Sequence, residues 1–186
     1  MSVIAGGLNM EEASRASKFA YTFIVLFILW LVVTSSLDSQ EIITGAIIAL
    51  IVSALTYDVF TKAGLANLHP KKVAYAIAYI PYFLWAMIMA NLDVAYRVLH
   101  PSRPIRPGIV KCRTILDSDT GKLSLANSIT LTPGTITLDV DGKDYFIHWI
   151  WVSDEVLKAK DDSEHVERAS EAITRPFEKF LKVIFG

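Results

Sequence analysis

The chain of 186 residues contains one cysteine, Cys112. A single thiol forms no internal disulfide, CxxC redox pair or cysteine-ligated cluster, and no base partner for it is visible in sequence. Cys112 reads as a strand residue. Outside one short linker there is no basic patch interleaved with aromatics, and the formal net charge is −1, which argues against nucleic-acid binding. A triad, a metal-ligand set and a phosphate loop are also missing. Ser128, Thr130, Thr132 and His148 are scattered among acids, and His148 beside Trp149 reads as a hydrogen-bonded structural histidine. The pairs His69-Pro70 and His100-Pro101 mark helix boundaries, and neither histidine has a second ligand at useful spacing. No catalytic residue, metal, cofactor or small-molecule substrate is expected.

Apolar residues are plentiful instead. They make up 53% of the chain, and mean hydropathy is +0.41, too oily for an ordinary soluble protein. They crowd the first hundred positions, whereas ten Lys or Arg and thirteen Asp or Glu fall after residue 107. A membrane half precedes a water-facing half. Residues 1–18 form a polar N-terminal segment carrying Glu11, Glu12, Arg15 and Lys18; balanced charge and the lack of a convincing cleavage site argue that it is retained. Residues 19–100 are expected to be the transmembrane helical part, with spans at about 19–37, 42–58 and 73–97, the first two forming a hairpin across Asp38 and Glu41.

Span two carries Gly45, Ala46, Ala49, Ser53 and Ala54, which let helices approach closely. Packing within the chain explains them simply; docking onto a larger membrane subunit is the favoured expectation, since so few helices leave small-residue surface uncovered. In span three, Pro81 should bend the helix, and Tyr75, Tyr79, Tyr82, Phe83 and Trp85 suit packing and interfacial anchoring. Asp93 and Arg97 stand at i and i+4 in the favoured acid-then-base order. An ionisable group deep in a bilayer costs about 2.5–3.5 kcal/mol on insertion scales, so an interfacial ion pair is the main reading of Asp93 and proton relay the minor one. Spans one and two hold no ionisable group in their apolar centres. Alone, this chain is poorly suited to moving an ion.

Residues 101–107 form a semi-rigid Pro/Arg linker, in which Arg103 and Arg106, with Arg97 before them, suit anionic lipid headgroups. The water-facing domain, 108–186, reads as a strand over 109–116, a turn over 117–121, a short helix over 123–131, a Thr132-Pro133-Gly134 reversal and a hairpin over 135–140 and 144–151 across Asp141-Gly142. Ile136, Leu138 and Val140 alternate with Thr135, Thr137 and Asp139, as in a half-buried strand. An amphipathic tail over 163–185 puts Val166, Ala169, Ile173, Phe177, Phe180 and Ile184 on one face, packed on the sheet, and Glu164, Glu167, Arg168, Glu171, Glu178 and Lys182 on the other. Pro176 kinks it or starts a second helix. The order β-α-β-β-α is a small α/β domain, ferredoxin-like without its last strand. With about eighty residues its core is marginal, so a membrane surface or partner subunit should complete its stability.

With three spans, Arg15, Lys18, Lys62, Lys71 and Lys72 lie on one side, and Arg97, Arg103, Arg106, Lys111 and Arg113 on the other. Five against five leaves the positive-inside rule silent on orientation.

Four separated motifs occur in one order: Asn91 to Leu99 (NLDVAYRVL), Ile105 to Ile109 (IRPGI), Leu125 to Val140 (LANSITLTPGTITLDV) and Ile147-His148-Trp149. In these the chain resembles the E-type subunit of Mrp-type multisubunit sodium/proton antiporters, across nearly everything beyond residue 18. Archaeal membrane-bound hydrogenase and related respiratory complexes carry a homologous subunit. The resemblance implies an accessory, non-catalytic subunit with a structural and assembly role in a Na+/H+ antiporter of the cell membrane, surrounded by lipid and other integral membrane subunits. The alternatives are the same part in a respiratory hydrogenase or reductase and, from another class, an autonomous membrane-tethered enzyme or sensor. A cytoplasmic C-terminal domain is implied, with the N-terminus outside if there are three spans. Candidate interface or assembly residues are Asn91, Asp93, Arg97, Arg106, Pro107, Gly108, Asn127, Thr130, Pro133 and Gly134.

Overall fold

The structure, a computed structural model, describes residues 13–60 and 64–186. Most of the polar N-terminal segment and Lys62 lie outside them. The chain divides into two compact units, Met1–His69 and Pro70–Gly186.

In the first unit, α1 (Arg15–Thr34) starts earlier than the hydropathy suggested. Ser14 caps it, accepting the Ser17 amide, so Arg15 and Lys18 belong to the helix rather than to a polar lead. Left-handed Ser35, at φ 50°, ends it. The second helix, α2 (Ser39–Phe60), returns antiparallel along it: Lys18 Nζ at the start of α1 reaches Asp58 Oδ1 near the end of α2 at 3.3 Å, and Trp30 Nε1 donates to the Glu41 carbonyl at 3.1 Å. Gly45 lies under the Trp30 indole, where any Cβ would collide with the ring, and Ala49 and Ser53 are buried one and two turns on. These small residues therefore serve the hairpin itself, where docking onto another subunit was the favoured expectation. Only Ala54 of the set is exposed. A 3-10 turn, Gly64–Leu68, follows, with the Leu65 amide donating to Ser17 Oγ.

The second unit begins with α3 (Pro70–Leu99), which continues unbroken through Pro81. Together α1, α2 and α3 are three helices long and apolar enough to cross a membrane. Beyond the linker come β1 (Gly108–Arg113), α4 (Asp119–Leu131), β2 (Thr135–Asp141), β3 (Asp144–Trp149), α5 (Asp154–Leu157), α6 (Asp162–Ile173) and α7 (Arg175–Phe185). The strands form one antiparallel sheet in the order β1-β3-β2. That order is a ferredoxin-like sheet without its fourth strand: β3 is inserted between β1 and β2, which α4 joins.

Three local expectations change, and the tail takes the second of its two readings. The turn over 117–121 is instead the first turn of α4, which starts at Asp119 because Ser118 Oγ accepts the Gly121 amide. The alternation in β2 is inverted. Thr137 shares the helix-covered face with Val110 and Ile147, whereas Ile136 and Leu138 lie about half exposed. The reason lies in α4: Thr135 Oγ1 donates to the carbonyls of Ile129 and Thr132, and Thr137 Oγ1 to that of Ala126, so the C-terminal end of α4 supplies acceptors that draw both threonines inward. The tail is two helices, and α7 packs on α3 and α4 while α6 covers β1. Finally Glu178, assigned to the polar face, is buried, because Thr114 Oγ1, the Ile115 amide and Arg175 all donate to it.

Val110, Cys112, Leu116, Leu125, Ile129, Tyr145, Ile147, Val152, Val156, Ala169, Ile173, Phe177 and Leu181 form the core, extended by Tyr79, Tyr82, Phe83 and Ala86 of α3.

Candidate functional site

The motif residues meet where α3, the linker and the end of β3 converge on Trp151. The guanidinium of Arg97 lies 4.6 Å from the Trp151 ring centroid and that of Arg106 lies 4.5 Å away, both within cation–π range. Arg97 grips Asp93 with two bonds, Nε to Oδ2 at 2.7 Å and Nη2 to Oδ1 at 2.9 Å, and its Nη1 donates to the Pro104 carbonyl at 2.9 Å. Arg106 donates Nε to the Val152 carbonyl at 2.8 Å and Nη1 to Asp154 Oδ1 at 2.7 Å. Its backbone bridges Ile150 and Val152 at 3.0 Å on each side. Two of the three arginines expected at lipid headgroups are thus turned inward as staples; Arg103, at φ 41°, is exposed. Arg106 hydrogen bonding and charge hold the Asp154 carboxyl below its usual range.

The Thr-Pro-Gly reversal joins the same region. Gly134 sits at φ +93°, its carbonyl accepts the Ile150 amide at 2.8 Å, and a Cβ there would meet Ile150 Cγ2 at 3.1 Å and Val94 Cγ2 at 3.4 Å. Pro133 is half-buried and stops α4 after Leu131. A Cβ on Gly108 would stand 2.9 Å from Val152 Cγ2. Asn91, Pro107, Asn127 and Thr130 are exposed. Asn91 donates to the Met87 carbonyl, and Thr130 Oγ1 accepts the Thr137 amide.

Sequence reasoning missed Trp151, read only as the end of a strand, and the seam between α3 and the last helix. Tyr82 stacks on Phe180 at 4.7 Å, Tyr79 lies 5.7 Å from the same ring, and the Tyr79 and Ser128 hydroxyls are 2.5 Å apart. The available signal was that Tyr75, Tyr79, Tyr82 and Phe83 share one helix face. Cys112 is fully buried, and burial above all pushes its thiol up to about 12, so it is inert at neutral pH. Among the described residues no group of three or more His, Cys, Asp or Glu is placed to hold a metal.

A hairpin of apolar helices, a third apolar helix and a three-stranded domain stapled by arginines define a membrane protein with a small α/β domain. A family model described as a Na+/H+ ion antiporter subunit matches residues 23–173, and the chain belongs to that family. It is 29% identical over 154 residues to the E-type Na(+)/H(+) antiporter subunit of Alkalihalophilus pseudofirmus, covering 82% of this chain and 95% of that one. The E1-type antiporter subunit of Staphylococcus epidermidis is 31% identical over 150 residues, with 78% and 92% covered. A chain of the membrane-bound sulfane sulfur reductase, an archaeal respiratory membrane complex, superposes with a TM-score of 0.77 at 67% identity, covering 91% of this chain and 99% of that one.

Proposed function

We propose that the chain is an accessory, non-catalytic subunit of a multisubunit energy-converting membrane complex containing a cation/proton antiporter module, with its C-terminal domain on the cytoplasmic side. The 67% identity to a respiratory-complex chain, against 29% and 31% for the antiporter subunits, carries the choice of a respiratory reductase or hydrogenase over a free-standing Na+/H+ antiporter. A structural role is supported by how the charged groups are used: Arg97 and Arg106 are spent on Asp93, Asp154 and backbone carbonyls. On this reading Asp93, Arg97, Arg106, Gly108, Pro133 and Gly134 shape the platform, and exposed Asn91, Pro107, Asn127 and Thr130 meet the neighbouring subunit.

Mild-detergent purification of the tagged chain tests this, with identification of what accompanies it. Redox and antiporter-like subunits together are expected. Antiporter subunits alone would move the assignment to the free-standing antiporter, and a solitary, stable particle with turnover would overturn both.

A further inference from the structure

We infer that α3 does not cross the bilayer but lies along its cytoplasmic surface, with one face in the headgroup–acyl boundary and the other carrying the C-terminal domain. One face of α3 is engaged with that domain along almost its whole length. Tyr75 and Tyr79 contact Phe180, Phe83 contacts Phe177, Val94 borders Gly134 and Arg97 lies over Trp151. Tyr75 to Arg97 is about 33 Å at ~1.5 Å per residue, as long as a hydrocarbon core of about 30 Å is thick. Were α3 to span, a domain with ten Lys or Arg and thirteen Asp or Glu would be immersed beside it at every depth. Polar loops and sheet edges exposed to lipid are not found in that layer.

The opposite face is apolar and uncovered. Ile77, Ile80, Leu84, Ile88 and Leu92 recur at steps of three and four, and at about 100° per residue they point away from the Tyr79 and Tyr82 face. Trp85 and Tyr96, both exposed, fall on the flank between the two faces, where rings suited to the headgroup layer belong. Lys71 and Lys72 open the helix and Arg103 follows it, so cations stand at both of its ends, where anionic headgroups attract them. Lipid is the occupant these features fit, an in-plane amphipathic helix with a water-facing load.

Charge distribution agrees independently. With α1 and α2 as the two spans, no Lys or Arg occurs from residue 19 to 61, so the loop between them carries none, while Arg15, Lys18, Lys62, Lys71 and Lys72 gather on the other side. Arg97, Arg103, Arg106, Lys111 and Arg113 join them once α3 no longer crosses, so the five-to-five tie becomes ten to none. The N-terminus and the C-terminal domain then share the cytoplasmic side.

The test uses sealed membrane vesicles holding the assembled complex, with buried Cys112 as a silent background. Ser39→Cys and Ser163→Cys are labelled with an impermeant maleimide in vesicles of each orientation. Labelling from opposite sides is expected; labelling from the same side means that α3 crosses and overturns the inference. Nitroxides at Ile77→Cys, Leu84→Cys and Leu92→Cys then report depth through oxygen against a polar relaxing agent. Equal, shallow depths support the lipid seat. A depth maximum at Leu84 overturns it, as does exclusion of both agents, which would mean that another subunit covers the face. Subunit composition, read on the same preparations, decides the proposed function separately.

Discussion

At the scale of the single residue, the side chains that matter most have no room to change. Gly134 combines φ +93° with neighbours from two elements, and an alanine there incurs roughly 1–2 kcal/mol of backbone strain in addition to crowding Ile150 and Val94. Gly134→Ala should lower the melting temperature of the complex and the amount recovered; unchanged recovery would show that the turn is not under conformational demand. Glu178 makes a chemical counterpart. As the buried acceptor for Thr114, Ile115 and Arg175, it should tolerate glutamine, which keeps a carbonyl oxygen, better than leucine, which leaves three donors unpaired at about 1–3 kcal/mol for each that stays buried. Thermal denaturation of Glu178→Gln and Glu178→Leu checks that order. Cys112 belongs here too. With its thiol pushed up to about 12, it should resist maleimide from pH 7 to 9 in the folded complex and react once denatured; rapid native labelling would contradict its burial.

At the scale of elements, the linker is held to the start of α5 by the Arg106–Asp154 pair, and its pH dependence has a definite sign. The folded-state pKa of Asp154 is lowered, first by hydrogen bonding from Arg106 and then by its charge. Stability from this pair is therefore present above the unfolded carboxylate value of about 3.9 and is lost as pH falls through the folded value. Asp154→Asn should separate from the native chain in melting temperature at neutral pH and converge with it in acid; parallel curves down to pH 3 would show that the pair adds nothing. The elements themselves were largely legible from periodicity and turn chemistry: three apolar helices, the Asp141-Gly142 hairpin, and the break near Pro176. The faces were less so. Thr135 and Thr137 read as the wet side of β2 because hydropathy counts a hydroxyl as polar, yet α4 supplies carbonyl acceptors that turn them inward. Glu178 escaped for a related reason, since two of its three donors, Thr114 and Ile115, lie more than sixty positions away. The candidate motifs were found as short strings, but their meeting at Trp151 depends on tertiary contacts between residues 97, 106 and 151 that no local pattern encodes.

At the scale of the whole molecule, the question is whether any charged group is left to carry a proton. Both oxygens of Asp93 are engaged by Arg97, which is also committed to the Pro104 carbonyl and to Trp151. An i,i+4 pair of this kind contributes about 0.3–0.5 kcal/mol when exposed, so its charge is dispensable if its work is only to orient Arg97. Asn in its place retains one acceptor oxygen for the guanidinium. Asp93→Asn is accordingly expected to leave both subunit recovery and ion transport by the complex near their native levels, whereas Arg97→Ala, which loses the hold on Pro104 and Trp151 together, should reduce recovery. Transport abolished in a fully assembled Asp93→Asn complex would reverse that reading and make the carboxylate a proton carrier. Measuring recovery and transport on the same preparation separates the two outcomes, because an ion pair that shapes a platform affects transport only through assembly, and a relay affects it without.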